Sequence, residues 1–418
     1  MSEQLLKKTI VLGIETSCDE TAVCIIEAAR PEKSDIEHDF IDIPEQGPKI
    51  KVLGNALYSQ IEKHAEFGGV MPSVAKREHS KNIVPLFIKA LTEAGLYKTK
   101  KIREKMSADI SEKILTSLNM ESEMANDVIE LFETTEKPQL DVIAVTQGPG
   151  LEPALWVGIN FAKTLGTVWS IPVVPTNHME GHILSVLVDS EKENKTISFP
   201  ALALLISGGH TELVLIHDWH DYSVIGRTRD DAVGEAFDKV ARILGLPYPG
   251  GPKISDLADL ARERHTHGEE KNPLIMLPRP MLHSKDYDFS FSGLKTAVLY
   301  LVKKISTLSE HDKQNIALEF EESATEVLIK KTREAMIDKN IRTLIIGGGV
   351  IANKNIRLAF QKMTELEFVD LNLLIPNIEH STDNAIMIAV AGYMRFTNTS
   401  KVKDPGQTSF RASGNLSL

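Results

Sequence analysis

His178 and His182, in the run His178-Met179-Glu180-Gly181-His182, stand four residues apart. On a helix they share one face, close enough to bind one divalent metal ion. Two ordinary satisfied histidines give the same spacing, and a third ligand must come from elsewhere in the chain. The run is not the H-E-x-x-H of a zinc protease, because Glu180 stands one place too late and faces another way. Ser207-Gly208-Gly209-His210-Thr211 follows an apolar strand. Its glycines leave backbone N–H groups open to a phosphate or adenylate, or simply make a hairpin turn. Ile346-Gly347-Gly348-Gly349-Val350-Ile351-Ala352-Asn353 reads as strand, triple glycine and helix start, a junction that presents amides to an anion. It lacks both the lysine of a Walker loop and the spacing of a dinucleotide fingerprint. Asp230, Asp231, Glu235 and Asp238 gather acidic charge, the last three on one helical face; such residues usually complement a helix dipole and nothing more. Tyr248 to Pro252 is a rigid turn from which, taken alone, no ligand role can be read, and Ser381-Thr382-Asp383-Asn384 reads as the N-cap of an apolar helix.

These groups need elements to hold them. Residues 10–27 (IVLGIETSCDETAVCIIE) and 202–217 (LALLISGGHTELVLIH) each read as strand, polar turn and strand. A unit of this kind near the start of each half predicts a duplicated architecture with a ligand cleft; two unrelated hairpins are the alternative. Helical periodicity fills 72–96, and a buried strand at 140–146 turns through Gln147-Gly148-Pro149-Gly150 into a helix. Further strands are predicted at 171–175, 343–346 and 371–375, with helices at 177–188, 314–337, 353–362 and 383–394. Residues 97–138 are charged and read as an insertion, 189–196 as a polar loop, and the tail from Thr397 as frayed. Strands separated by helices make this an α/β protein.

Composition limits the function. The 418 residues carry a net charge of −11, which excludes a protein that wraps nucleic acid over its whole surface. The run 98–105 (KTKKIREK) is a candidate basic patch, with a solvated helix or loop face as the plainer reading. Two cysteines, Cys18 and Cys24, suit a reducing compartment and give no disulfide framework. The N-terminus runs straight into a strand without a signal or transit pattern, and no stretch of about 18 apolar residues occurs. A cytoplasmic protein with no membrane span is expected.

Nine stretches in order, LGIETSCDETAV, HAEFGGVMPSVAKREH, VTQGPGLEPAL, NHMEGH, LLISGGHTEL, DDAVGEAFDKVARILGLPYPGGP, DFSFSGLKTA, GGGVIANKNIR and STDNAIM, closely resemble the tRNA N6-adenosine threonylcarbamoyltransferase family, its bacterial branch in particular. They span nearly the whole chain, leaving additions at 29–49, 97–138 and 189–196 and the tail. The resemblance implies a two-lobed actin-like, sugar-kinase-like and Hsp70-like fold, a duplicated RNase H-like α/β architecture with helical insertions. It suggests an N-terminal lobe over 1–175, a second lobe over 176–396 holding the metal and nucleotide site, and a polar tail over 397–418. By the same resemblance His178, His182 and Asp383 are metal ligands. Leu205, Ile206, Ser207, Gly208, Gly209, Asp238, Gly251 and Asn353 bind substrate, and Asp19 and Glu20 support catalysis. Ser73, Glu152 and Ser381 depart from the family pattern without removing a ligand.

The implied reaction moves a threonylcarbamoyl group from threonylcarbamoyl-AMP to N6 of adenosine 37 in tRNAs reading codons that begin with A. One divalent ion per subunit, Fe(2+) ahead of Zn(2+), would assist; two imidazoles and a carboxylate suit either. The implied partners are tRNA, a paralogous non-catalytic subunit and a small ATPase. A metalloprotease, a kinase or ATPase of the same fold, and a non-catalytic scaffold are the competing readings.

Overall fold

Near-continuous burial from Val11 to Glu15 marks a strand enclosed on both faces. This is β1 (Lys8–Glu15), which turns through Thr16 to Asp19 into β2 (Glu20–Ala29), antiparallel, with Glu15 opposite Ala22. After the two-residue β3 (Glu45–Gln46), β4 (Lys49–Ser59) pairs antiparallel with β2, while β5 (Val142–Gly148) and β6 (Val173–Asn177) extend the other side in parallel. The sheet order is β4-β2-β1-β5-β6. The computed structural model describes residues 8–29, 45–103, 105–117, 122–188, 196–268, 275–398 and 409–418. The 29–49 addition therefore lies mostly outside the described residues, as does the loop at 189–196 apart from Thr196.

Alternation along β1 assigns its faces. Leu12 and Ile14 pack with Phe87 and Leu155 of the helices Pro72–Glu93 and Glu152–Trp169. Gly13 points the opposite way, to the helix Ala385–Asn398, where a Cβ would stand 2.3 Å from Ala385 O. Gly392 on that helix has equally little room, its Cβ falling 2.2 Å from Ala144 Cβ. Two glycines thus let the last helix lie directly on the sheet, which brings Asp383, just before the helix, to the end of β1.

After β7 (Thr196–Ile197) the second sheet repeats the plan: β8 (Ala201–Ile206), β9 (Thr211–Asp218), β10 (Asp221–Arg227), β11 (Thr343–Gly347) and β12 (Asn372–Leu374). Its order is β10-β9-β8-β11-β12, with antiparallel β8/β9 and β9/β10 and parallel β8/β11 and β11/β12. Strand for strand this matches the first sheet in order and direction. The twin strand–turn–strand runs are the first two strands of each copy, and the duplicated RNase H-like, actin-like α/β fold is the one the family resemblance implied.

The division of the chain differs from the expected 175/176 boundary. One unit comprises residues 1–196 and 383–418, the other 197–382. The reason is pairing: β6 continues the first sheet, and the helix Ala385–Asn398 returns to cover β1, β2 and β5. His178, His182 and Asp383 consequently belong to the first unit, not to a C-terminal lobe. The stretch 97–138 is not merely an insertion, since Met124, Val128, Leu131 and Phe132 are buried in the first unit's core. Its basic run is tied down, with the Lys100 N–H donating to Thr134 O and Arg103 paired with Glu133 at 2.7 Å; Glu104 lies outside the described residues.

The tail is likewise not frayed where it is described. Ser413 N–H donates to Gln147 O, Gly150 N–H to Gly414 O, Lys163 Nζ to Phe410 O at 2.6 Å, and Asn177 Nδ2 to Ser417 O at 3.1 Å. Glu152, a departure from the family pattern, accepts from the Gly414 N–H at 3.3 Å. Residues 399–408 lie outside the described residues. A chain ending at 408 is expected to melt about 3–6 °C lower in a thermal scan, for a loss on the order of 1.5 kcal/mol.

Candidate functional site

Asn177 ends β6 and caps the helix His178–Leu184: its Oδ1 accepts from Met179 N at 2.8 Å and from Glu180 N at 3.4 Å. Both histidines of that helix face Asp383. His182 Nε2 is 3.1 Å and His178 Nε2 3.4 Å from Asp383 Oδ1, and one donor atom from each residue falls within 4.8 Å of the others. The imidazoles meet edge to face, 4.7 Å between centroids. The expected N-cap of the last helix is present too, but Asn384 supplies it, its Oδ1 accepting from Met387 N at 3.0 Å. That leaves the Asp383 carboxylate to the histidines.

Behind His178 stands Glu15, fully buried at the end of β1. Its Oε2 is 3.0 Å from His178 Nδ1 and accepts from Thr146 Oγ1 at 2.7 Å. A carboxylate on Nδ1 holds a proton there and leaves Nε2, on the side of Asp383, as the nitrogen a metal ion would take, the usual support of a metal-binding imidazole. Burial pushes the Asp383 carboxyl up, but His178 and His182 outweigh it and hold the group well below the usual carboxylate range. Burial depresses His178, and Asp383 and Glu15 reverse this, raising it well above an ordinary imidazole. Two imidazole nitrogens converging on one carboxylate oxygen need positive charge among them. His182 Nδ1 is buried without a hydrogen-bond partner, so that ring is oriented by its Nε2 side alone. The donor set of two nitrogens and one oxygen fits a divalent ion such as iron or zinc. Glu15→Gln is expected to weaken metal retention about 10- to 100-fold, measured by competition with a chelator.

Sequence reasoning missed Glu15, although a glutamate inside an otherwise apolar strand was a usable signal. Glu180 is fully buried and accepts from Arg395 Nε at 2.6 Å. It ties the histidine helix to the Asp383 helix and is not placed as the base of a protease. Asp19 ends the β1–β2 turn and Glu20 opens β2 beside it. Burial, then the charges of Asp19 and Asp383, push the Glu20 carboxyl up to about 10, so this turn and Asp383 share one electrostatic neighbourhood. His79, from the PSVAKREH run, buttresses the turn, with Nε2 3.0 Å from Cys18 O and Nδ1 2.7 Å from Thr21 Oγ1.

The second unit holds a cavity of about 440 Å³, within the ordinary size of a small-ligand site. Gly208, Asp238, Gly251 and Asn353 line it, with Phe237 and Ser255. Leu205 and Ile206 are fully buried in β8 and lie behind this wall rather than in it. Ser207 N–H donates to His210 O, and the Gly209 N–H to Ser207 Oγ at 3.3 Å, so the turn after β8 is held largely by its own hydrogen bonds. Asp238 accepts from the Gly250 N–H at 2.7 Å, which fixes the Gly250-Gly251 corner. The expected acidic face is not continuous: the helix begins at Val233, and Asp231, ahead of it, pairs with Lys239 at 2.7 Å and Lys295 at 3.0 Å. Asp230 accepts from Phe291 N and Ser290 Oγ.

The family model for tRNA N6-adenosine threonylcarbamoyltransferase matches residues 51–102 and 123–390. A protein of that name from Thermosipho africanus is 40% identical over 384 residues, covering 92% of this chain and 93% of the relative. Another of that name, from Geobacillus kaustophilus, is 40% identical over 384 residues, with 91% and 90% covered. Among solved structures, full-length HypF in its phosphate- and nucleotide-bound form is similar over 95% of this chain, with a TM-score of 0.50 and 10% identity. The chain spans 48% of that protein, and a likeness at such identity concerns the fold alone. Agreement over nine tenths of the length, with both histidines and Asp383 inside the matched range, leaves no other assignment: the chain belongs to the tRNA N6-adenosine threonylcarbamoyltransferase family and is an acyltransferase.

Proposed function

We propose that this enzyme transfers threonylcarbamoyl from threonylcarbamoyl-AMP to N6 of adenosine 37 in tRNAs that read codons beginning with A. The N6 lone pair attacks the carbamoyl carbon, the bond from that carbon to the phosphate oxygen breaks, AMP leaves with the electron pair, and N6 gives up a proton. The observation that carries this reading is the convergence of His178 and His182 with Asp383, which lies 201 residues beyond His182 in the sequence, in a chain of this family. When bound there, a divalent ion, Fe(2+) or Zn(2+), supplies Lewis-acid and templating chemistry.

The protein's own groups do the rest. The cavity wall of Gly208, Asp238, Gly251 and Asn353 receives the adenosine of the donor. Glycines at 208 and 251 leave the ligand room, since a Cβ at either position meets nothing within 4 Å. Asp19 and Glu20 act from the β1–β2 turn on the reacting groups. Holding donor and acceptor in register supplies much of the acceleration, because an aromatic amine is a weak nucleophile. Glu180's engagement with Arg395 removes the candidate base of the protease reading. The enzyme works in the cytoplasm with tRNA, a paralogous non-catalytic subunit and a small ATPase; among the described residues no helix is long and apolar enough to cross a membrane.

The test is mass analysis of tRNA nucleosides after incubation with threonylcarbamoyl-AMP, with and without candidate partner subunits. Threonylcarbamoyladenosine accumulating at position 37 supports the reading. Unmodified tRNA under every combination, from folded and metal-loaded enzyme, sinks it.

A further inference from the structure

Glu321 is a carboxylate with no solvent exposure, in the middle of the helix Glu310–Asp338. An isolated charge there would be strongly destabilising, so its partners reveal its use. Oε1 accepts from Asn353 Nδ2 at 2.6 Å and from Ser255 Oγ at 2.9 Å, and Oε2 accepts from Arg262 Nη2 at 2.7 Å. Ser255 and Asn353 both line the cavity. They come from different elements: Ser255 from the helix Gly250–Thr266, Asn353 from the cap of the helix Lys354–Glu367. Arg262 also grips Asp259, a third lining residue.

The side chain of Asn353 is committed at both ends. Its Nδ2 donates to Glu321 and, at 2.9 Å, to Ser255 Oγ, while its Oδ1 accepts from Ile356 N at 2.9 Å and so starts the following helix. An amide with both hydrogens in use has no N–H left for a ligand. Asn353 therefore acts through where it stands, and Glu321 decides where that is.

We propose that Glu321 is a positioning residue for the nucleotide cavity, fastening Ser255 and Asn353 into one wall that the nucleoside of the adenylate donor packs against. The proposal rests on the reading that the cavity takes an adenylate. The acceptor oxygen is the essential feature. Gln at 321 keeps a carbonyl for Ser255 and Asn353, whereas Met, close to it in size and also uncharged, keeps none. Both lose the charge opposite Arg262 equally.

The experiment compares Glu321→Gln and Glu321→Met by calorimetric titration with AMP and by steady-state kinetics in threonylcarbamoyl-AMP. Glu321→Gln is expected within about threefold of the parent Kd. Glu321→Met should bind AMP about tenfold or more weakly, with KM raised in parallel and kcat little changed. Should either variant fail to fold, the same pair in an Arg262→Met background removes the stranded guanidinium and preserves the comparison. Equal AMP affinity in the Gln and Met variants overturns the proposal alone. If the parent does not bind AMP, the adenylate reading falls and this proposal with it.

Discussion

Asp383→Ala is expected to abolish stable metal binding and to lower tRNA-modifying turnover by about a hundredfold or more, exceeding the loss typical of a supporting residue. His178 and His182 both aim Nε2 at Asp383 Oδ1, so this carboxylate is the point at which the cluster closes. Without it, two imidazoles and the Glu15 contact remain, a poor cage for a divalent ion. Folding should survive, because Asn384 rather than Asp383 caps the last helix. Asp383→Asn sharpens the result: it keeps shape and an oxygen but loses the charge, and should fall in the same direction. Elemental analysis of the purified protein, beside nucleoside mass analysis, reads both effects. Full metal occupancy and parental turnover in Asp383→Ala would remove the cluster from the mechanism.

Gly208→Leu is expected to weaken AMP binding on the order of a hundredfold while leaving the melting temperature near the parent's, because the side chain fills the site rather than the core. A Cβ at Gly208 meets nothing within 4 Å and the residue lines the cavity, so the added atoms enter ligand space. Gly234 provides the contrast. A Cβ there would stand 2.6 Å from Ser207 O, so Gly234→Ala should cost stability before it costs affinity. Calorimetric titration with AMP and a thermal melt on both variants separate the two effects. Parental affinity in Gly208→Leu would mean that the adenylate binds elsewhere.

Local pattern gave up much of this architecture. The alternation in 10–27 and 202–217 is a physical property of paired strands, and both runs are the leading hairpins of matching sheets. The i, i+4 spacing of His178 and His182 is a property of one helix, so it too was readable. Asp383 was not: nothing in its neighbours announces a partner on a distant helix, and only the family resemblance named it. Long-range return of the chain also explains the misplaced boundary, since no local signal says that the helix Ala385–Asn398 packs on β1 rather than on its sequence neighbours. The tail read as frayed because composition sees side chains. Residues 409–418 are held largely through main-chain groups, with Ser413, Gly414 and Ser417 meeting Gln147, Gly150 and Asn177. Glu321 escaped for a related reason, as a buried carboxylate on a long charged helix is recognised by its partners and not by its spacing, whereas Glu15 was marked by the apolar strand that carries it.

The second unit is inserted whole between the two halves of the ligand cluster, and this has a consequence during synthesis. A ribosome that has released residues 1–196 has made both imidazoles and all five strands of the first sheet, yet neither Asp383 nor the helix that lies against Gly13 and Ala144. Until Asp383 and that helix emerge, one apolar face of that sheet stays wet and a metal ion would find only part of the donor set. The nascent chain thus waits through the whole of the second unit before the first can mature, a delay during which chaperones have something to hold.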